Sequence, residues 1–313
     1  MKEEILVTIK CAVYNHEQYL KQCLDGFVMQ KTNFRFEVIL HDDASSDSSA
    51  KIIREYTEKY PDLIIPICES ENQYSKGGFE LMAKIMDEHI RGKYIAICEG
   101  DDYWTDPYKL QKQVDYLESH PECGLVYTQI NQFDQETQKL SLGWARQSDF
   151  DDAITRDNPI PTLTTFFRKS LYDSYLNEVK QNSNWKVGDF PLWLYLAYNS
   201  KIKCLDDITG VYRILLHSAS HSTDVKKIYL FSLSVYDVRK YFINKYHRED
   251  LFPKVKQLEI NDLFKLCVRY NKNLSWRIFK FAKDNSALNM KVIIKCLIYS
   301  TKIGRVFHLW KYK

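Results

Sequence analysis

Tyr94-Ile95-Ala96-Ile97-Cys98-Glu99-Gly100-Asp101-Asp102-Tyr103-Trp104 runs from an apolar segment straight into three acids within four residues. Tyr94 to Cys98 reads as a buried strand, which places the carboxylates at its carboxyl end. Open α/β sheets carry their ligand sites there. A turn needs one Asp or Asn, whereas adjacent carboxylates repel and oppose folding unless a cation or a hydrogen-bonding ligand compensates. The stretch therefore implies a divalent metal, a nucleotide, or both.

Outward from this point, short β-rich runs alternate with longer helical patterns. Ile5 to Ile9, Phe36 to His41, Leu63 to Cys68 and Leu125 to Ile130 read as further strands. Glu17 to Met29, Ser48 to Tyr60, Phe79 to Ile90 and Pro107 to Ser119 carry helical spacing. This βαβα rhythm predicts a mostly parallel, Rossmann-like central sheet covered by helices on both faces. Asp106 before Pro107 reads as an N-cap, and Asp47 or Ser48 can cap the helix that follows. Asn131 to Pro161 is polar and reads as a loop or small insertion. A strand near Leu163 to Phe167, a helix from Lys169 and another near Pro191 follow. From Val225 the pattern is helical to the end.

The 313 residues contain 45% hydrophobic and 14% aromatic side chains, enough for a full core. No apolar run reaches the roughly 18 residues of a membrane span. Met1 to Lys10 passes from charge into a strand without room for a signal peptide, so the expectation is a cytoplasmic protein. Eight cysteines are scattered without a CxxC pair, as buried free thiols would be. The net charge of +3 conceals an asymmetry: Val225–Lys313 carries 20 Lys and Arg against 6 Asp and Glu, and Met1–Asp224 carries 24 against 35. The expected division is an acidic domain over 1–224 and a basic helical region over 225–313. Such a tail points to an anionic surface, membrane or nucleic acid.

Three other clusters bear on chemistry. His41-Asp42-Asp43-Ala44-Ser45-Ser46-Asp47 closes the second strand; its carboxylates suit a base N–H or a ribose hydroxyl, and equally a turn and helix cap. Asp189, ahead of Pro191, is either a general base or an ordinary cap. In Tyr212-Arg213-Ile214-Leu215-Leu216-His217-Ser218-Ala219-Ser220-His221-Ser222, Arg213 can pair with phosphate and a histidine can complete a metal shell.

Taken in order, these motifs resemble the family 2 glycosyltransferases, inverting enzymes of the GT-A fold. The entry Val13-Tyr14-Asn15-His16-Glu17-Gln18-Tyr19-Leu20 is similar to their first strand-to-helix junction, Asp42 to Asp47 to their nucleotide-binding aspartates, Glu99 to Trp104 to their DxD-type metal site, and Gly188-Asp189 to their catalytic base. The similarity covers about Ile5 to Ser222. It implies a nucleotide-sugar donor with a UDP, GDP or dTDP leaving group, bound by Tyr14, Asn15, Glu17, Asp42, Asp43, Asp101 and Arg213. It implies Mn2+ or Mg2+ on Asp102, and Asp189 as the base that deprotonates an acceptor hydroxyl on a saccharide or lipid-linked saccharide, in polysaccharide or glycolipid assembly. Leu215 stands where many members have histidine, so His221, or alternatively His217, is the expected second ligand. Glu99 stands where Asp is common.

Other classes fit less well. A receiver domain needs an acid pair after the first strand, where Cys11 to Asn15 has none; no GxGxxG and no GxxxxGK[ST] is present. A metal-dependent phosphodiesterase or nuclease, and a non-catalytic sugar-nucleotide-binding scaffold at the membrane, remain as alternatives. For the tail, the segment Lys291 to Lys313 reads as an amphipathic helix lying on an anionic bilayer, with no nucleic acid partner. The competing expectation packs these helices on the catalytic domain or on a second copy of the chain.

Overall fold

The computed structural model describes residues 4–179, 185–215, 224–270 and 273–302. The strands are β1 (Ile5–Val13), β2 (Arg35–Asp42), β3 (Ile64–Cys68), β4 (Tyr94–Ile97), β5 (Tyr103–Trp104), β6 (Cys123–Asp134), β7 (Lys139–Leu142), β8 (Phe166–Arg168) and β9 (Lys201–Ile214). The helices are α1 (Leu20–Val28), α2 (Ser49–Lys59), α3 (Gln73–Asp87), α4 (Lys109–Ser119), α5 (Phe150–Thr155), α6 (Lys169–Glu178), α7 (Phe190–Asn199), α8 (Val225–Lys245), α9 (Phe252–Arg269), α10 (Ser275–Asp284) and α11 (Met290–Ser300).

Among the described residues the nine strands join one sheet in the order β3-β2-β1-β4-β8-β6-β9-β5, with β7 on β6. Pairing is parallel across β3-β2-β1-β4 and between β6 and β9; β8, β7 and β5 pair antiparallel. The strands of the parallel half are near-continuous apolar runs because helices cover them, and Val7, Ile9, Val38, Leu40 and Ala96 are fully buried. By contact, the chain divides into two compact units: Met1–Phe150, Asn158–Gln181 and Tyr195–Leu215 form one, and Asp151–Asp157, Asn182–Leu194 and Leu216–Lys313 the other. The first holds the whole sheet. The second holds α8 to α11.

Several local expectations change. The polar stretch after Ile130 is partly sheet, since β6 continues to Asp134 and turns into β7, whose four residues are all exposed. β9 was hidden by Asp206 and Asp207, which fall where its register against β6 slips between Thr128 and Gln129. Helix α3 starts earlier than its apolar spacing indicates, with Asn72 accepting from the Ser75 N–H at 2.7 Å, then a break at Gly78. Gly78 has φ +63° and ψ −154°, a conformation that needs glycine. Asp106 caps the turn before α4 instead of the helix itself, accepting from the Tyr108 N–H at 2.8 Å. None of the eight cysteines is in a disulfide, as expected; seven are buried and Cys68 is exposed.

Candidate active site

The acidic motif is anchored from both ends. Before it, the parallel ladder continues past β4 through Cys98 N–H to Lys10 O (3.1 Å) and Gly100 N–H to Ala12 O (3.0 Å). After it, Trp104 is buried, donates its indole N–H to Leu163 O at 2.6 Å and meets Phe27 edge-on at 4.9 Å. Gly26 of α1 makes this approach possible, because a Cβ there would lie 2.9 Å from the Trp104 backbone nitrogen. Between these anchors the Asp102 N–H closes a turn onto Glu99 O at 3.1 Å. The carboxylates are held by backbone geometry.

Asp102 is only 4% exposed, and its Oδ1 accepts the backbone N–H of Arg213 at 2.7 Å. Burial, then the neighbouring charges of Asp101 and Glu99, hold its carboxyl well above the ordinary range, with the Arg213 N–H and charge opposing. Arg213 is 5% exposed. Its Nε donates to Asp101 O at 2.7 Å, and its terminal nitrogens donate to Gln22 at 2.7 Å and Gln135 at 3.2 Å. The guanidinium also lies 4.9 Å from the ring centroids of Tyr19 and Tyr103. A guanidinium so enclosed positions the Asp101–Asp102 backbone, and a phosphate contact by Arg213 would come in addition to these bonds.

The two loops that follow β1 and β2 are laced together. Asn15, at φ +56°, donates its N–H to Ser45 Oγ at 2.9 Å and accepts from the Ser46 N–H at 2.8 Å. Glu17 donates its N–H to Asp47 at 2.9 Å and accepts from the Ser48 N–H at 2.8 Å. Asp42 accepts from the Ser45 hydroxyl. Asp43 is buried, and its two oxygens accept the Gln73 N–H at 2.5 Å and the Tyr74 N–H at 3.1 Å, tying the start of α3 to the end of β2. A nucleobase contact by Asp43 would come in addition to these bonds. Tyr14 is the exposed aromatic side chain of the group.

Four contributors carried no assigned role in the sequence. The His16 ring sits against Gly100, where a Cβ would come within 2.8 Å of Nδ1, and that buried nitrogen has no hydrogen-bond partner among the described residues. Burial lowers its proton affinity against the pull of Asp101, Asp47 and Asp42. Lys109 is fully buried, its Nζ 3.9 Å from the Trp104 ring centroid and 2.7 Å from Gln113 Oε1. Gln22 and Gln135 hold Arg213 from α1 and from the β6–β7 turn; nothing in their spacing announces it.

Asp189 belongs to the second unit, where its carbonyl accepts the Trp193 N–H at 3.2 Å, as an N-cap residue's does at the start of α7. His217 and His221 lie outside the described residues. Among the described residues no three His, Cys, Asp or Glu side chains form a preformed metal cluster. The donor set nonetheless suits a hard cation: carboxylate oxygens are concentrated at one strand end, where burial and the Asp101 and Glu99 charges disfavour the Asp102 carboxylate and a cation would offset them. Mg2+ and Mn2+ are often held by one or two carboxylates together with substrate phosphates.

A mixed sheet with acids at the end of β4 defines a GT-A fold, and the comparisons place the chain within it. The model of the glycosyl transferase family 2 matches residues 9–175, and the chain belongs to that family. An uncharacterized protein of Mycobacterium tuberculosis, Rv1520, is 36% identical over 222 residues, 69% of this chain and 61% of that protein's length. The putative glycosyltransferase EpsE of Bacillus subtilis is 33% identical over 193 residues, covering 60% of this chain and 65% of EpsE. Among solved structures, S. aureus TarS 1–349 in complex with UDP-GlcNAc aligns with TM-score 0.57 at 14% identity, covering 98% of this chain and 92% of that one. The mannosyltransferase PcManGT from Pyrobaculum calidifontis, in complex with GDP-Man and Mn2+, aligns with TM-score 0.55 at 14% identity, covering 100% and 89%. These structural likenesses establish the fold. No helix among the described residues is long and apolar enough to cross a membrane.

Proposed function

We propose that this chain is an inverting glycosyltransferase that moves a sugar from a nucleoside diphosphate to an acceptor hydroxyl in polysaccharide or glycolipid assembly. The observation that carries this is the pairing of Asp102 with the Arg213 backbone inside a cluster of like charges. A fold that buries a carboxylate beside two others and then fixes its orientation is prepared for a cation-bearing ligand.

Asp102, with Glu99 and Asp101 adjacent, would hold Mn2+ or Mg2+. When bound, that ion neutralises charge on the departing diphosphate. Asp101 and Asp42 face the nucleoside. Asp43, Asn15 and Glu17 hold the loops around it, and Tyr14 offers an exposed ring. Arg213 positions the Asp101–Asp102 turn. The Tyr14-to-Glu17 and Asp42-to-Asp47 loops are joined by hydrogen bonds donated from both sides.

In the reaction, an acceptor hydroxyl attacks the anomeric carbon and Asp189 takes its proton. The oxygen–carbon bond forms as the bond from that carbon to the β-phosphate oxygen breaks, and the electron pair leaves with the diphosphate. A single displacement inverts the anomeric centre. PcManGT binding GDP-Man with Mn2+ and TarS binding UDP-GlcNAc support a donor of this class. The donor class is a UDP-, GDP- or dTDP-sugar.

Donor binding by calorimetry beside transfer rate, for the parent and Asp189→Asn, tests the assignment. The expected result is unchanged donor affinity with transfer lowered about a thousandfold or more. Unchanged transfer removes Asp189 from the mechanism.

A further inference from the structure

Helix α11 is apolar on two opposite faces. Val292, Cys296 and Tyr299 are buried at i, i+4 and i+7. On the other side Met290, Ile294, Leu297 and Ile298 face solvent, with Leu297 66% and Met290 68% exposed. A soluble helix ordinarily turns charge outward on that side. Here Lys291 and Lys295 fall at one margin of the exposed stripe on a 100° per residue wheel. Beside it, Asn273 donates to Ser300 O at 3.3 Å, joining the start of α10 to the end of α11. Three residues further on, Trp276 is 73% exposed, the most exposed large hydrophobic side chain among the described residues.

The charge of this hairpin selects its partner. Residues 273–302 contain Arg277, Lys280, Lys283, Lys291, Lys295 and Lys302 against the single acid Asp284. An apolar stripe edged by lysines with a tryptophan alongside is the pattern of a helix lying in the plane of an anionic bilayer. Eleven residues at 1.5 Å rise give a helix too short to span.

We propose that α10 and α11 dock this chain on an anionic lipid surface, with Met290, Ile294, Leu297, Ile298 and Trp276 entering the headgroup–acyl boundary and the lysines contacting lipid phosphates. This does not depend on the transfer chemistry. It would concentrate the chain where lipid-linked acceptors reside.

Flotation of the full chain with vesicles of phosphatidylcholine, alone or with about 30 mol% phosphatidylglycerol, tests it. The parent is expected to float with the anionic vesicles and to be released by high salt. Ile294→Glu with Leu297→Glu, at exposed positions that leave the melting temperature unchanged, should weaken binding about tenfold or more. Lys291→Glu with Lys295→Glu should abolish the preference for anionic lipid. Failure of the parent to bind either vesicle overturns the proposal, as does undiminished binding by the folded Ile294→Glu/Leu297→Glu chain. A parent dimer that these substitutions turn into monomer, without vesicle binding, assigns the stripe to a second copy instead.

Discussion

The backbone N–H of Arg213 donates to Asp102 Oδ1 at 2.7 Å across 111 residues of sequence, while the same residue's guanidinium holds the Asp101 carbonyl. One residue of β9 thus fixes both halves of the acidic turn. The backbone bond survives any substitution except proline, whereas the guanidinium bonds do not.

Arg213→Lys separates the two effects. A lysine keeps the charge but cannot reach Asp101 O, Gln22 and Gln135 together. Stability should fall by about 2–3 kcal/mol, and kcat/KM about 10- to 100-fold with donor affinity falling less. Denaturant melts and steady-state kinetics check this; parent-like kinetics with an intact fold would deny Arg213 its positioning role.

Asp102→Asn removes the charge that its neighbours oppose. The variant should melt at the parent's temperature or about 2–5 °C above it, because burial and the Asp101 and Glu99 charges penalise the native carboxylate. Transfer should drop about a thousandfold. In differential scanning fluorimetry, Mn2+ with donor should stabilise the parent and leave the variant unmoved. A variant that melts far below the parent points to a purely structural Asp102.

Asp43→Asn tests the tie between β2 and α3. An amide cannot accept from both Gln73 and Tyr74, so the variant should lose about 1–2 kcal/mol and speed amide exchange at the start of α3. Unchanged exchange there would mean that the carboxylate does not hold the helix.

Lys109 makes stability depend on pH. Burial pushes its ammonium down to about 7, with Cys98 and Asp106 opposing. The unfolded chain, with lysine near its ordinary 10.5, then binds more protons above about pH 7, so stability attributable to Lys109 rises with pH. Between about pH 6 and 9 the parent should gain about 2–3 kcal/mol relative to Lys109→Met. The difference in slope is the readout, since the variant also leaves Gln113 Oε1 without its donor. Parallel pH profiles would show that the lysine stays charged beneath Trp104.

The parallel half of the sheet was legible because each of its strands is an apolar run closed by a turn or an acid. β9 was not, because Lys201, Lys203, Asp206 and Asp207 break its hydrophobic pattern and its burial alternates only in part, with Asp206 to Ile208 exposed and Thr209 to Val211 buried. The Glu99–Asp102 cluster declared itself through charge, a property that sequence carries directly. The enclosure of Arg213 by Gln22, Gln135, Tyr19 and Tyr103 did not, since it arises where α1, the residues after β4 and the β6–β7 turn meet. Asp43 illustrates an intermediate case: its type fits both a nucleobase contact and a cap, and only coordinates reveal the bonds to Gln73 and Tyr74.

The most direct test of the account is nucleoside diphosphate release from a panel of UDP-, GDP- and dTDP-sugars, with Mn2+ or Mg2+ and with a chelator. The account predicts that at least one donor turns over with metal, that chelation stops it, and that Asp102→Asn and Asp189→Asn are both inactive on that donor. Turnover that persists in chelator and in Asp102→Asn would contradict it, as would the absence of both turnover and nucleotide binding across the panel.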